Sequence, residues 1–223
     1  MKKFVELEKG AQRMNEVPFI AVEGPIGVGK TSLAKAISDY YQYNLLLEIV
    51  DENPFLERFY ENLEEWSFQT EMFFLCNRYK QLGDIKEHSL SKNIPVVADY
   101  HIYKNLIFAR RTVKGEDYKK YLDIYNILTA DMPKPNIIIY LNASLETLIT
   151  RINHRGRSQE KNISPEYLEQ LSLDYEQAML DLEKENPSIP ILRLNGDELD
   201  FVNHKQDLEY IFQQLNSLLA KGK

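Results

Sequence analysis

A glycine-rich octet is the feature that most constrains how this chain can fold. Residues 24–31 read Gly-Pro-Ile-Gly-Val-Gly-Lys-Thr, which is the G-x-x-x-x-G-K-[ST] pattern of a P-loop. The apolar run 19–22 before it predicts a buried strand, and residues 32–40 after it predict a helix. In this context the octet indicates a phosphate-binding loop rather than an ordinary glycine-rich turn.

The residue types of the octet suit a triphosphate. Gly24, Gly27 and Gly29 let the backbone turn so that its N–H groups meet phosphate oxygens, and the following helix adds the positive end of its dipole. Lys30 is placed to reach the β- and γ-phosphates, and the hydroxyl of Thr31 to ligate Mg²⁺. We therefore expect ATP as phosphate donor, Mg²⁺ as its partner ion, and a phosphoryl-transfer enzyme. The predicted donor-binding segment comprises Gly24, Pro25, Ile26, Gly27, Val28, Gly29, Lys30, Thr31 and Ser32.

Length and composition limit the number of domains, the kinds of partner and the cellular compartment that we expect. The 223 residues suit one domain, which we place at 18–223, and we expect residues 1–17 to form a flexible N-terminal extension. A net charge of −7 disfavours nucleic acid as a partner. One cysteine, Cys76, fits a reducing cytoplasm. The sequence shows neither the apolar core of a signal peptide nor an apolar run near the roughly 18 residues of a membrane span, so no membrane is expected.

Short apolar runs alternate with helical patterns along the chain. Beyond the first strand, runs at 45–50, 94–99, 136–141 and 188–194 predict four more. This alternation predicts an α/β fold, a five-stranded parallel sheet flanked by helices. Ligands bind such sheets at the carboxyl ends of the strands.

Two acidic residues are expected at that edge. Asp99 ends the run Val-Val-Ala-Asp and resembles a Walker-B acid that holds Mg²⁺; the alternative is an ordinary helix N-cap or strand-end aspartate. Glu48 interrupts the second apolar run, where an unused carboxylate is costly to bury. It is a candidate general base for an attacking hydroxyl, and the alternative is a glutamate of an edge strand that faces water.

Three arginines crowd one predicted helix end. Arg151 and Arg155 are four residues apart and share a helix face, and Arg157 follows Gly156. Such a group can clamp a transferring phosphoryl group as an arginine-rich lid. The alternative is a set of cations that simply compensates the dipole at a helix C-terminus.

Taken together, these motifs resemble the deoxynucleoside kinase family from Phe19 onward. The resemblance includes the P-loop, Glu48, the segment Asn-Pro-Phe-Leu at 53–56, the strand ending in Asp99, and the arginine motif at 151–157. Within the family, the segments 66–76 and 98–105 are most similar to the bacterial deoxyguanosine kinases.

The resemblance implies roles and an assembly. Glu48 would be the base for the 5′-hydroxyl of a deoxynucleoside, and Tyr60 and Glu160 would bind its 3′-hydroxyl. Asp200 and Phe201 lie where the family holds the base of ATP. The family also implies a homodimer packed through helices beside the substrate site.

One departure from the family pattern bears on the acceptor base. The family glutamine five residues after the tryptophan is Glu71 here, and the family arginine seven residues further on is Arg78. An ionised carboxylate only accepts hydrogen bonds, so Glu71 suits N1–H and the 2-amino group of guanine and opposes N1 of adenine. Arg78 would donate to guanine O6 or N7. The alternative is that Glu71 and Arg78 only pair with each other.

A second departure removes a cation. Family members usually carry arginine after the strand-end acid, but Tyr100 follows Asp99 here. We consider Arg110 or Arg111 as a replacement, and Asn105 as a weak substrate contact.

The expected function is ATP-dependent phosphorylation of deoxyguanosine. One alternative is a kinase of this fold that accepts deoxyadenosine, a broad range of deoxynucleosides or a nucleoside monophosphate. Another is a nucleotide-binding regulatory protein without turnover.

Overall fold

The computed structural model describes residues 17–221, so most of the predicted extension 1–17 lies outside the described residues. The described part contains one sheet whose strands are all parallel, in the order β2-β3-β1-β4-β5. The five-stranded parallel sheet is therefore confirmed. Its strands are β1 (Phe19–Glu23), β2 (Asn44–Leu46), β3 (Val96–Ala98), β4 (Ile137–Asn142) and β5 (Ile191–Asn195).

Helices connect every pair of successive strands, as right-handed parallel crossovers require. Polar N-caps begin several of them: Asn62, Ser144 and Ser164 each accept a hydrogen bond from a backbone N–H in the first helical turn. The helices are α1 (Lys30–Tyr41), α2 (Leu56–Glu61), α3 (Leu63–His88), α4 (Tyr103–Thr112), α5 (Gly115–Thr129), α6 (Leu145–Arg155), α7 (Pro165–Glu185) and α8 (Lys205–Lys221). Short 3₁₀ turns lie at Leu90–Lys92 and Ser158–Glu160.

Helices cover both faces of the sheet, as the burial of the central strand β1 shows. All five residues of β1 are buried. Ile20 and Val22 belong to an apolar cluster with α1 and α8, whereas Phe19 belongs to a cluster with α3 and α5. Successive side chains of a strand point to opposite faces, so a strand buried on both sides is apolar without alternation. This is why the strand runs could be recognised in the sequence.

The second strand is shorter than its apolar run predicts. It pairs only with β3, from Asn44 opposite Val96 to Leu46 opposite Ala98, and the ladder ends where β3 ends. The prediction that Glu48 lies within a strand is wrong: residues 47–50 lie outside the sheet and have no regular secondary structure. Glu48 thus follows the carboxyl end of β2, beside the ends of β3 and β1.

Candidate active site

The P-loop connects β1 to α1 with backbone angles that favour glycine. Gly24 and Gly27 have φ of 147° and 84°. A Cβ on Gly24 would lie 2.2 Å from the carbonyl oxygen of Leu141, so a side chain there would collide with β4. Helix α1 begins at Lys30 without a side-chain cap, which leaves its first N–H groups available for an anion.

The P-loop lysine is folded back onto the loop. Lys30 Nζ donates to the carbonyl oxygens of Gly24 and Pro25, both at 2.8 Å. Burial, followed by the positive charge of Lys104, lowers the pKa of Lys30 to about 7. A triphosphate at the loop would supply the negative charge that favours the protonated ammonium.

Asp99 joins the P-loop to the segment that carries Glu48. Its Oδ2 accepts a hydrogen bond from the Thr31 hydroxyl at 2.6 Å, and its Oδ1 accepts one from the Glu48 backbone N–H at 2.8 Å. It caps no helix, since α4 begins after Ile102 without a side-chain cap. Asp99 thus links the ends of β1, β2 and β3, as expected of an acid at this edge.

The Glu48 carboxylate is held by two cations. Its Oε2 accepts from Lys104 Nζ at 2.6 Å, and its Oε1 accepts from Nε and Nη2 of Arg78. Burial opposes ionisation of Glu48, but the charges and hydrogen bonds of Lys104 and Arg78 outweigh it and hold the pKa of the carboxyl below its usual range. The glutamate therefore does not face water: its side chain is 9 % exposed.

Lys104 is the functional residue that sequence reasoning missed. It lies in the first turn of α4, five residues after Asp99, and its side chain is 8 % exposed. It places a cation beside the carboxylate of Glu48, although arginine is missing after Asp99. Neither arginine considered as a replacement reaches the site: Arg111 pairs with Asp174 on α7, and Arg110 is exposed.

Tyr100 and a further buried acid, Glu23, lie close to the segments that carry Glu48 and Asp99. The Tyr100 hydroxyl donates to Gln81 on α3, and the Gln81 amide donates to the carbonyl of Leu47, next to Glu48. Glu23, at the end of β1, accepts from the His101 backbone N–H at 2.6 Å, and burial raises its pKa to about 7. The sequence signal for Glu23 was its position as the only charged residue in a buried strand.

Helix α3 lines the site with one face, as the predicted spacing requires. Thr70, Glu71, Phe74 and Arg78 all border the same cavity. Within the described residues Glu71 forms no ion pair with Arg78, whose guanidinium binds Glu48 instead. Burial raises the pKa of Glu71 to about 8, against the lowering effect of Arg78 and Lys104. One nitrogen of Arg78, Nη1, is buried without a hydrogen-bond partner among residues 17–221.

The three arginines lie around the P-loop and the 3₁₀ turn that follows α6. Arg151 donates to the carbonyl oxygens of Val28 and Gly196, at 3.0 and 2.8 Å. Arg155 and Arg157 both pair with Glu160, which is 6 % exposed. All three arginines border the cavity. Of the three, only Arg155 lies in the last turn of α6, where a cation compensates the helix dipole.

The cavity has a volume of about 1100 Å³ and runs from the P-loop to α3. That volume exceeds a typical single-ligand pocket and suits two ligands placed end to end. Tyr60, Asp200 and Phe201 also border it, the last two at the P-loop end. Asn105 does not: it is fully buried, and its amide donates to the hydroxyl of Tyr121 at 2.8 Å.

The oxygen atoms beside the P-loop fit the Mg²⁺ that the fold family implies. The Thr31 hydroxyl and the Asp99 carboxylate are hard oxygen donors in direct contact, and Thr31 directly follows the P-loop lysine, Lys30. Mg²⁺ typically takes one or two protein oxygens and fills its other positions with water and substrate phosphates. Among the described residues no cluster of three or more acidic, histidine or cysteine side chains forms a metal site, and this mode of binding requires none.

Comparison with known proteins agrees with this geometry. Residues 20–220 match the family model described as deoxynucleoside kinase. The chain is 53 % identical to the deoxyguanosine kinase of Bacillus subtilis (strain 168) over 207 residues, 93 % of this chain and all of that protein. It is 31 % identical to the deoxyadenosine/deoxycytidine kinase of the same strain, over 90 % of this chain and 92 % of that one.

A solved structure shares the fold. The deoxyadenosine kinase from M. mycoides with bound dCTP superposes with a TM-score of 0.73 at 32 % identity, covering 89 % of this chain and 99 % of that chain. These relatives differ in the base they accept, so the base must be argued from the site. In the described part of the chain, no helix is both long and apolar enough to span a membrane.

Proposed function

The chain belongs to the deoxynucleoside kinase family, and from this premise we propose that its acceptor is deoxyguanosine and its donor ATP or another nucleoside triphosphate. It is an ATP-dependent phosphotransferase that acts on a deoxynucleoside. The observation that carries the choice of base is the buried carboxyl of Glu71 in the cavity wall. The 53 % identity to a deoxyguanosine kinase supports the same choice.

Guanine recognition follows from the donors and acceptors on α3. Ionised Glu71 accepts from N1–H and the 2-amino group of guanine, and the partnerless Nη1 of Arg78 donates to O6. Adenine would set its N1 lone pair against the carboxylate and leave Nη1 unpaired. A site that leaves buried polar groups unpaired rejects the wrong base by several kcal/mol, on the order of 10²-fold or more.

The sugar lies between this base site and Glu48. Tyr60 and Glu160 bind the 3′-hydroxyl, which directs the 5′-hydroxyl at Glu48. The nearby charge of Glu160 acts on the hydroxyl of Tyr60, and burial together with that charge raises the pKa of Tyr60, so the phenol remains a donor.

Phosphoryl transfer forms a bond from O5′ to the γ-phosphorus and breaks the bond from the γ-phosphorus to the β-phosphate oxygen. The 5′-hydroxyl proton passes to Glu48. A carboxylate whose pKa is held low is a weak base, which suits a loose transition state in which the nucleophile needs little activation. Glu48 therefore orients the hydroxyl and accepts its proton late in the transfer.

The chain meets the phosphates with fixed cations and N–H groups. The P-loop backbone and Lys30 hold the β- and γ-phosphates, and Arg151, Arg155 and Arg157 form the lid that neutralises charge on the transferring group. Asp200 and Phe201 hold the base of the donor. Thr31 and Asp99 hold Mg²⁺, which when bound offsets charge on the phosphates.

The proposal also includes a homodimer and a cytoplasmic location. A homodimer is supported by exposed apolar side chains on one face of α7, where Leu173 and Leu180 are 59 % and 38 % exposed and seven residues apart. The single cysteine still favours the cytoplasm, where both substrates would be available. Sedimentation velocity of the purified chain distinguishes a dimer from a monomer.

A substrate panel tests the proposed function. The chain is incubated with ATP, Mg²⁺ and one of five acceptors: the four standard deoxynucleosides and deoxyinosine. We expect dGMP as the main product and slower transfer to deoxyinosine, which keeps N1–H and O6 but lacks the 2-amino group. A Lys30→Met variant should form no product, which excludes a contaminating kinase. Preference for deoxyadenosine or deoxycytidine would refute the base assignment, and no transfer to any acceptor would leave only a nucleotide-binding protein.

A further inference from the structure

Glu71 is a buried acid whose neighbouring cations are engaged elsewhere. It is 1 % exposed, borders the cavity, and has no hydrogen-bond or ion-pair partner within the described chain. The two nearest cations, Arg78 and Lys104, both bind Glu48. Titratable groups on six neighbouring segments act on Glu71. They are Arg78 on α3, Lys104 on α4, Tyr60 on α2, Tyr121 on α5, Tyr167 on α7, and Glu48 in the segment after β2.

These surroundings favour a neutral carboxyl. Burial is the largest effect on Glu71 and raises its pKa, Glu48 raises it further, and Arg78 and Lys104 offset only part of this, so the pKa is about 8. The three tyrosines have pKa values raised by burial and add no charge at neutral pH. In the free enzyme at neutral pH, Glu71 therefore carries a proton.

The two protonation states of Glu71 prefer different bases. A protonated carboxyl offers one donor and one acceptor, which matches N1 and the 6-amino group of adenine. An ionised carboxylate offers two acceptors, which matches N1–H and the 2-amino group of guanine. Glu71 therefore prefers adenine when its carboxyl is protonated and guanine when it is ionised.

We propose that binding of deoxyguanosine expels one proton from Glu71, so that the pH sets the selectivity between guanine and adenine. The inference rests on the proposed function. The O–H bond of the carboxyl breaks, its proton passes to solvent buffer, and the two guanine donors take the place of that proton at the carboxylate.

The sign of the pH dependence follows from linkage. Below the Glu71 pKa of the free enzyme, only the minor ionised form binds guanine, so the affinity for deoxyguanosine rises about tenfold per pH unit and levels off above that pKa. Deoxyadenosine binds the protonated form, so its affinity is level below that pKa and falls above it. The ratio of the two affinities changes about tenfold per pH unit throughout.

Titration calorimetry of the full chain tests the proton directly. Deoxyguanosine or deoxyadenosine alone is titrated near neutral pH in two buffers that differ in ionisation enthalpy, and the difference in binding heat gives the protons released. We expect close to one proton released per deoxyguanosine and none per deoxyadenosine. A Glu71→Gln variant should release none with either nucleoside, and its affinity for deoxyguanosine should be level with pH.

The outcomes separate this inference from the proposed function. Wild-type enzyme that binds and phosphorylates deoxyguanosine without releasing a proton overturns the inference and leaves the function intact. Release that persists in Glu71→Gln also overturns it. If that variant does not fold or bind, the wild-type contrast decides: release with deoxyguanosine only supports the inference, and equal release with both nucleosides overturns it. No binding or transfer of deoxyguanosine at any pH refutes both.

Discussion

Lys104 and Glu48 form an ion pair inside the protein, with 2.6 Å between Nζ and Oε2 and less than a tenth of either side chain exposed. Arg78 holds the other carboxylate oxygen of Glu48. The carboxylate is thus fixed from two sides, with its charge preserved in a buried position. Breaking one side of such an arrangement leaves an uncompensated charge, so Lys104 and Glu48 make sensitive tests of the site.

Replacing Lys104 should change the pH dependence of catalysis. Lys104 and Arg78 depress the pKa of Glu48, so Lys104→Met should raise that pKa. The base must be ionised to accept a proton, so activity should be lost as pH falls through the raised pKa. The acid limb of the kcat profile should therefore move to higher pH.

Two variants serve as controls for this shift. Lys104→Arg keeps the charge and should restore the wild-type profile, whereas Arg110→Met removes an exposed cation of the same helix and should change nothing. An unchanged acid limb in Lys104→Met would show that Lys104 does not act on the base.

Replacing the proposed base, Glu48, should lower kcat with little change in KM. Glu48→Gln keeps the shape but cannot take a proton, so we expect a loss of about 10²–10⁴-fold in kcat. The variant also leaves Arg78 and Lys104 without a counter-charge, so its thermal unfolding is recorded beside its kinetics. Glu57→Gln, on the exposed face of α2, is the matched control. Near-normal kcat in folded Glu48→Gln would remove Glu48 from the reaction.

The magnesium requirement should depend on one hydroxyl. Thr31→Val keeps the volume of the side chain but removes the oxygen that contacts Asp99. We expect the Mg²⁺ concentration for half-maximal activity to rise at least about tenfold. Thr150→Val, at an exposed position on the cavity rim, should leave it unchanged. Equal magnesium dependence in both variants would place the ion elsewhere.

A substrate analogue can isolate the contact of Tyr60 with the sugar. Tyr60→Phe removes one hydroxyl, and we expect KM for deoxyguanosine to rise about three- to tenfold, as for loss of one hydrogen bond. The penalty should vanish with 2′,3′-dideoxyguanosine, which has no 3′-hydroxyl. Tyr79→Phe alters an exposed tyrosine of α3 and is the control. An equal penalty with both nucleosides would indicate a packing effect instead.

The fold was accessible to sequence reasoning because burial on both faces makes each parallel strand apolar. The P-loop motif predicted the first strand and the helix that follows it, and the five predicted strands are all present. The position of Glu48 was not accessible, because the run 45–50 is apolar beyond the point where pairing stops. The ladder stops at Leu46, which lies opposite Ala98, the last residue of β3.

The contacts of Glu48 with Arg78 and Lys104 could not be predicted from local sequence patterns, because these residues are far apart in the sequence. A lysine in the first turn of a helix usually faces solvent, and nothing near Lys104 reveals that it meets a residue 56 positions earlier. The raised pKa of the Glu71 carboxyl has the same origin. Its protonation depends on whether the charge of Arg78 is free or bound to Glu48, which is a property of the tertiary structure.

The most direct test compares kcat/KM for deoxyguanosine and deoxyadenosine in wild-type enzyme and Glu71→Gln, at saturating ATP and Mg²⁺ and at a pH above the pKa of Glu71, where its carboxylate is ionised. We expect wild type to prefer deoxyguanosine by about 10²-fold or more, and the variant to lose most of that preference, since glutamine both donates and accepts and can pair with either base. A wild-type preference for deoxyadenosine, or an unchanged preference in the variant, would contradict guanine recognition by Glu71.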